Sequence, residues 1–279
     1  MAKSAIGERK FLIIGVLLVV GVFLFLVLHG STTNGNSNNS SGSGSSSAPA
    51  SLIQKVTSIP ASVFDGIGQG TADGRPKHIS APALISNGKP EVFYEGAEYC
   101  PYCATERWAM VAALSRFGTF SKLGVTHSST TDVYPNTQTL SFYGSTYTSP
   151  YISFVPVEIE TNIPTGVGFT TLQTPTSAQS ALVNTYDSPP YVSSSQSGAI
   201  PFIDFGGSYV ISGATYSPAL LQGLSADSIA SSMGDQFSPI AKGADGAANT
   251  ITAAICKLTK NMPSSACDPA IQEIEKTLN

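Results

Sequence analysis

Residues 91–118 read EVFYEGAEYCPYCATERWAMVAALSRFG, and the fold turns on them. After Lys89-Pro90, residues 91–94 are a short β-type run and 95–99 a loop leading to Cys100. Helical patterning then runs over 104–117. Trp108, Val111, Ala112, Leu114 and Ser115 recur at spacings of three and four, no Gly or Pro interrupts them, and Gly118 stands where a helix C-terminus favours glycine. Strand, loop, Cys-x-x-Cys and helix thus follow in order.

Two thiols at a helix start have a chemical logic. Unpaired backbone N–H groups and the positive dipole end stabilise a thiolate there. Cys100 is therefore the expected nucleophile. Pro101 suits a first turn that needs no N–H from it, and Cys103, one turn on, can resolve a mixed disulfide. The dithiol alone leaves other readings open: a structural bridge, a copper-binding pair, or half of a zinc site. Zinc is the weakest, because the other pair, Cys256 and Cys267, is widely spaced. His29, His78 and His127 are scattered, so neither a metal site nor a cofactor is indicated.

Outward from this centre, residues 51–80 contain Gly66, Gly68, Gly70 and Gly74 and read as an entry segment of turns or short strands rather than a helix. Residues 126–150, rich in Ser, Thr and Tyr, read as a surface excursion or small β-rich insertion. Residues 152–159 alternate as a central strand, with Pro156 implying a bulge or an edge. A helix is expected over 176–186. Residues 202–205 and 209–212 are β runs joined through Gly206-Gly207, a hairpin spacing, with Pro201 directly before the first. Helical stretches follow over 217–224, 227–233, 247–258 and 270–278. The fold class is α/β, a central mixed sheet flanked by helices.

The compartment is read from the N-terminus. Residues 1–10 carry Lys3, Arg9 and Lys10, and 11–28 are an uninterrupted apolar or glycine run. The next Lys or Arg is Lys55, so the positive-inside rule leaves 1–10 as a cytoplasmic tail and exports the rest. A cleaved signal peptide is the rival reading, but the run is long for one and Ala48-Pro49-Ala50 lies far downstream. Residues 29–50 read as a flexible Ser/Asn/Gly linker and 51–279 as the exported domain. Asn38 and Asn39 each head a glycosylation sequon. A net charge of −4 supplies no basic surface and argues against nucleic acid.

Taken together, Tyr99-Cys100-Pro101-Tyr102-Cys103 before a helix and Ala199 to Val210 around Pro201 resemble the thioredoxin superfamily, whose β-α-β-α-β-β-α order the chain follows. The Cys-Pro-Tyr-Cys tetrad resembles glutaredoxins. The exported setting resembles bacterial disulfide-bond proteins and the thioredoxin domains linked to vitamin K epoxide reductases. The whole is most similar to an archaeal family of exported thioredoxin-like proteins. The resemblance implies a thioredoxin-like fold with a Ser/Thr/Tyr-rich insertion and a thiol-disulfide oxidoreductase acting on exported cysteine-containing proteins. It implies a cis Pro201 facing the dithiol and Ile200 supplying backbone hydrogen bonds to substrate. By analogy, a quinone-linked membrane oxidase is the expected redox partner.

Several residues depart from that pattern or admit two roles. Thioredoxins carry a buried Asp where this chain has Tyr94, and Glu95 and Glu98 are not equivalent to it. Glu106 is a proton relay or a favourable acid in the first helical turn. Tyr99 and Tyr102 form a rim for unfolded clients or pack against neighbouring loops. Cys256 and Cys267 read as a structural disulfide pinning the last two helices. The competing function is a tethered binding module, or a copper-handling protein, whose bridge is only structural.

Overall fold

The computed structural model describes residues 44–278. The tail over 1–10, the span over 11–28 and most of the linker lie outside these residues. No described helix is long and apolar enough to cross a membrane.

The described chain begins inside the stretch read as a tether. Ser46–Ser47 (β1) pairs antiparallel with Gly124 and Val125, and Pro49 then caps helix α1, Ala50–Thr57. A second short helix, α2, Ala61–Ile67, follows Pro60. Both fall where turns or strands are expected. Leu52 and Val56, four apart on one face of α1, are buried, and Phe64 is buried from α2. These few anchors, each set just after a helix-initiating proline, outweigh the glycines that follow them.

Next come β2, Lys77–His78; β3, Ile85–Ser86; and β4, Lys89–Gly96. β3 turns into β4 through Asn87-Gly88, both at positive φ as an Asn-Gly hairpin turn requires. Helix α3, Pro101–Leu114, starts at the dithiol, three residues before the start read from periodicity. Strands β5, Thr119–His127, and β6, Gln138–Thr148, pair antiparallel and lead to β7, Ser153–Glu158. A small hairpin, β8 (Glu160–Pro164) with β9 (Phe169–Thr171), precedes helix α4, Ser177–Tyr186. Then β10, Phe202–Phe205, and β11, Tyr209–Ser212, form the expected hairpin. A 3₁₀ turn, Pro218–Leu221, and helices α5 (Ala226–Met233), α6 (Pro239–Thr259) and α7 (Pro269–Glu275) complete the chain.

The main sheet is mixed. β4 lies at its centre, parallel to β7 on one side and antiparallel to β10 on the other, with β11 and β2 beyond β10. β7 is therefore an edge strand rather than a central one, and Pro156 sits in unbroken register opposite Tyr94 with no bulge.

Of the two readings of residues 126–150, the β-rich one is nearer: the stretch supplies β6, but as half of a built layer and not as a surface excursion. β5 and β6 form a second sheet with β1, and Leu140 and Phe142 are buried. This sheet covers one side of α3, where the indole Nε1 of Trp108 donates to Gln138 O at 3.0 Å. Helix α6 covers another. α3 is consequently buried on nearly every face, with Tyr102 its one residue outside the buried set. A helix enclosed this way can hold charged residues only where each finds a partner.

Candidate active site

β4 delivers the chain to Gly96, and the short loop behind it places Cys100 at the N-cap of α3. Cys100 has extended backbone angles there, and its Sγ accepts the Cys103 backbone N–H at 3.2 Å. This is the capping geometry in which a helix start stabilises a thiolate. Both cysteines are free thiols. Cys100 retains a sliver of exposure, 5%, whereas Cys103 has none.

The two sulfurs differ electrostatically. The Cys103 thiol hydrogen bond, helped by backbone N–H groups and Arg107, holds Cys100 below the ordinary thiol value against the opposing effect of burial. Burial first, and then the neighbouring Cys100, push Cys103 well above it. A sulfur with its pKa lowered that keeps some exposure, beside one with its pKa raised that has none, is the asymmetry that exchange through a mixed disulfide needs.

Across from the dithiol, the Ile200–Pro201 peptide is cis, as the resemblance implies. The Cys100 thiol donates to Ile200 O at 3.6 Å, and Ile200 packs with Tyr99 and Ile159 against Ala97, Cys100 and Cys103. Two loops flank the opening. Ser129 N–H donates to Tyr99 O at 2.7 Å, and the Tyr99 ring stacks on Phe169 of β9 with centroids 4.4 Å apart. Tyr102 meets Tyr134 edge to face at 6.1 Å and stays 41% exposed. Of the two readings of the tyrosines, Tyr99 is the packed ring and Tyr102 the open one.

Behind the sulfurs lies a group that sequence reasoning passes over. Arg107, one helical turn beyond Cys103, is wholly buried. Its Nε and Nη2 donate to Glu158 of β7 at 2.8 and 2.6 Å, and Nη2 also donates to Ala97 O at 2.8 Å. Burial alone would lower the guanidinium pKa, but Glu158 and Tyr94 hold it well above its usual value. Tyr94 is fully buried with no hydrogen-bond partner on its hydroxyl. Glu98 accepts from Ser141 Oγ at 2.8 Å. The signal available in sequence was an arginine four positions past a cysteine on a mostly apolar helix whose other charged residue is Glu106. Its partner, fifty-one positions away, carried none.

Glu106 is not the first-turn acid that was one of the two roles expected of it. It lies beyond the first turn, fully buried, and accepts from the Thr215 N–H at 2.8 Å and the Thr215 hydroxyl at 2.9 Å, tying α3 to the segment after β11. Cys256 and Cys267 are disulfide-bonded with Cα atoms 5.7 Å apart, and the bridge joins the end of α6 to the turn before α7. The structure thus gathers Cys100, Cys103, Tyr99, Tyr102, Ile200 and Pro201 in one place, and sets the second cysteine pair among the C-terminal helices.

One family model matches the chain, described as a domain of unknown function (DUF929), over residues 76–257. No curated protein and no solved structure matches it.

Proposed function

The chain belongs to the DUF929 family, and from that premise we propose that it is a thioredoxin-like thiol-disulfide oxidoreductase, held to the membrane by residues 11–28 and acting outside the cell on exported proteins. One observation carries the reading: Cys100 caps α3 with its sulfur on the Cys103 N–H, Cys103 lies one turn behind it, and the carbonyl of Ile200 faces it. The strand order β7-β4-β10-β11, parallel on one side of β4 and antiparallel on the other, supports the thioredoxin-like assignment.

In this reading the Cys100 thiolate attacks a client disulfide, or the oxidised pair accepts attack from a client thiol, and Cys103 resolves the mixed disulfide. A membrane partner recycles the pair. The low charge and the apolar run at 11–28 support export, and the Tyr102 face supports contact with unfolded segments.

The deciding measurement is the reduction potential of the Cys100–Cys103 pair by glutathione titration, with Cys100→Ser as control. A value between about −120 and −270 mV places the pair among catalytic thiol-disulfide proteins and sets its direction. A value below about −300 mV marks a structural bridge and returns the chain to the binding-module reading.

A further inference from the structure

We propose that Arg107 and Tyr94 are positioning residues that hold negative charge on Cys103 Sγ while it resolves a mixed disulfide, an inference that rests on the oxidoreductase reading above. The step balances without another reactant. Cys103 Sγ attacks Cys100 Sγ, the bond between those sulfurs forms, and the bond from Cys100 Sγ to the client sulfur breaks. The client sulfur leaves with the electron pair and takes up the proton that Cys103 releases. The difficulty is that Cys103 must carry charge where nothing is wet, since its exposure is zero.

The geometry answers that difficulty. Cys103 and Arg107 are four apart on α3, and helical side chains lean toward the N-terminus, so the guanidinium reaches back beneath the sulfurs. There Nη2 donates to the carbonyl of Ala97, the residue that packs on both cysteines. Glu158 occupies only Nε and Nη2, and Nη1 has no partner though wholly buried. A second unspent donor lies close by. A side chain at Gly96 would collide with the Tyr94 hydroxyl and come within 3.1 Å of Cys103 Sγ, so both atoms border the same small space, which only glycine leaves open.

Buried donors without acceptors are rare and unfavourable in a folded chain. Here two of them, Nη1 and the Tyr94 hydroxyl, belong to residues that border Cys103, and the charge that appears on its sulfur during turnover gives them an acceptor. The acids nearby are already engaged, Glu158 by Arg107 and Glu98 by Ser141. If Arg107 served only to tie α3 to β7, two of its nitrogens would suffice.

The test follows the reduced full-length chain, in detergent, against dithiobis-nitrobenzoate. Cys100 attack releases one equivalent of thionitrobenzoate, and Cys103 resolution releases a second, while Cys256 and Cys267 are already bridged. Tyr94→Phe should leave the first release unchanged and slow the second by about tenfold, the size of one hydrogen bond to a charge. Arg107→Met with Glu158→Gln should slow the second further. If that paired variant does not fold, Tyr94→Phe decides alone, because it removes a hydroxyl with no partner. A second release as fast in Tyr94→Phe as in the native chain overturns the inference. A native chain that releases nothing removes the oxidoreductase reading itself and this inference with it.

Discussion

The Cys103 backbone N–H donates to Cys100 Sγ at 3.2 Å while the Cys103 sulfur itself has no exposed surface. Reactivity toward a small alkylating reagent should therefore be lopsided. The Cys100 value is lowered, so its alkylation should rise with pH through a midpoint below the ordinary thiol value of 9.0. In Cys100→Ser, Cys103 should stay unmodified across neutral pH. Quantifying adducts by mass spectrometry against pH checks both, and equal labelling of the two sulfurs at neutral pH would contradict the assignment of roles.

Tyr102 and Tyr99 should separate client recognition from loop support. Tyr102 is open, so Tyr102→Ala should slow reduction or oxidation of an unfolded protein substrate several-fold, with little change on a small disulfide and little change in melting temperature. Tyr99 is stacked on Phe169 of β9, so Tyr99→Ala should also loosen the β8–β9 hairpin. Hydrogen exchange across 160–171 reads that loosening. Equal kinetic effects on large and small substrates would remove Tyr102 from client contact.

Stability should fall as the solution becomes less acidic. Burial pushes Glu106 from 4.5 up to about 7 and Asp245 from 3.8 up to about 8, and Asp187 and Asp204 each rise to about 6. Between the unfolded and folded values the native chain keeps a proton that the unfolded chain has lost. The contribution of each group is thus fully present below its unfolded value and is lost as pH rises through its folded value, by at most about 1.4 kcal/mol per pH unit. Glu106→Gln and Asp245→Asn should flatten the decline in melting temperature between pH 5 and 8. An unchanged slope in both variants would mean that neither carboxyl titrates there.

Legibility followed the range of the interactions. The β10–β11 hairpin, the helix after the dithiol and the Cys256–Cys267 bridge are written in local patterns, and each was read from a few neighbouring residues. The helices at 50–67 were missed because eight and seven residues give too few turns for periodicity to outvote four nearby glycines. The β5–β6 layer is legible only as a β-rich stretch, without its burial or its reach back to Thr119, for a different reason. Both faces of β6 are buried here, Leu140 and Phe142 on one and Thr139 and Ser141 on the other, so polarity did not mark the inside. Thr139 nonetheless pairs with the Ala104 carbonyl at 2.7 Å, a tertiary bond that no strand pattern encodes. The Arg107–Glu158 pair, joining a helix to an edge strand, exists only once the sheet is assembled.

The second cysteine pair should matter for holding the chain together and not for exchange chemistry. The bridge spans eleven positions, and closing so short a loop is worth about 2–3 kcal/mol in the chain-entropy model. Its neighbourhood has other fasteners. Arg116, just past α3, donates to Ala266 O at 3.0 Å, pairs with Asp268 at 3.2 Å and lies over the Phe64 ring. Asp268 in turn caps α7 by accepting from Ile271 N–H. Replacing both Cys256 and Cys267 by Ala should therefore lower the denaturation midpoint while the chain still folds, with nitrobenzoate release from Cys100 and Cys103 unchanged at a temperature below the new transition. Adding Arg116→Met should destabilise by more than the sum of the two changes, because each alone leaves the other holding the turn before α7 in place. If the double alanine variant instead abolished exchange while still folded, the pair would be a relay for electrons and not a staple.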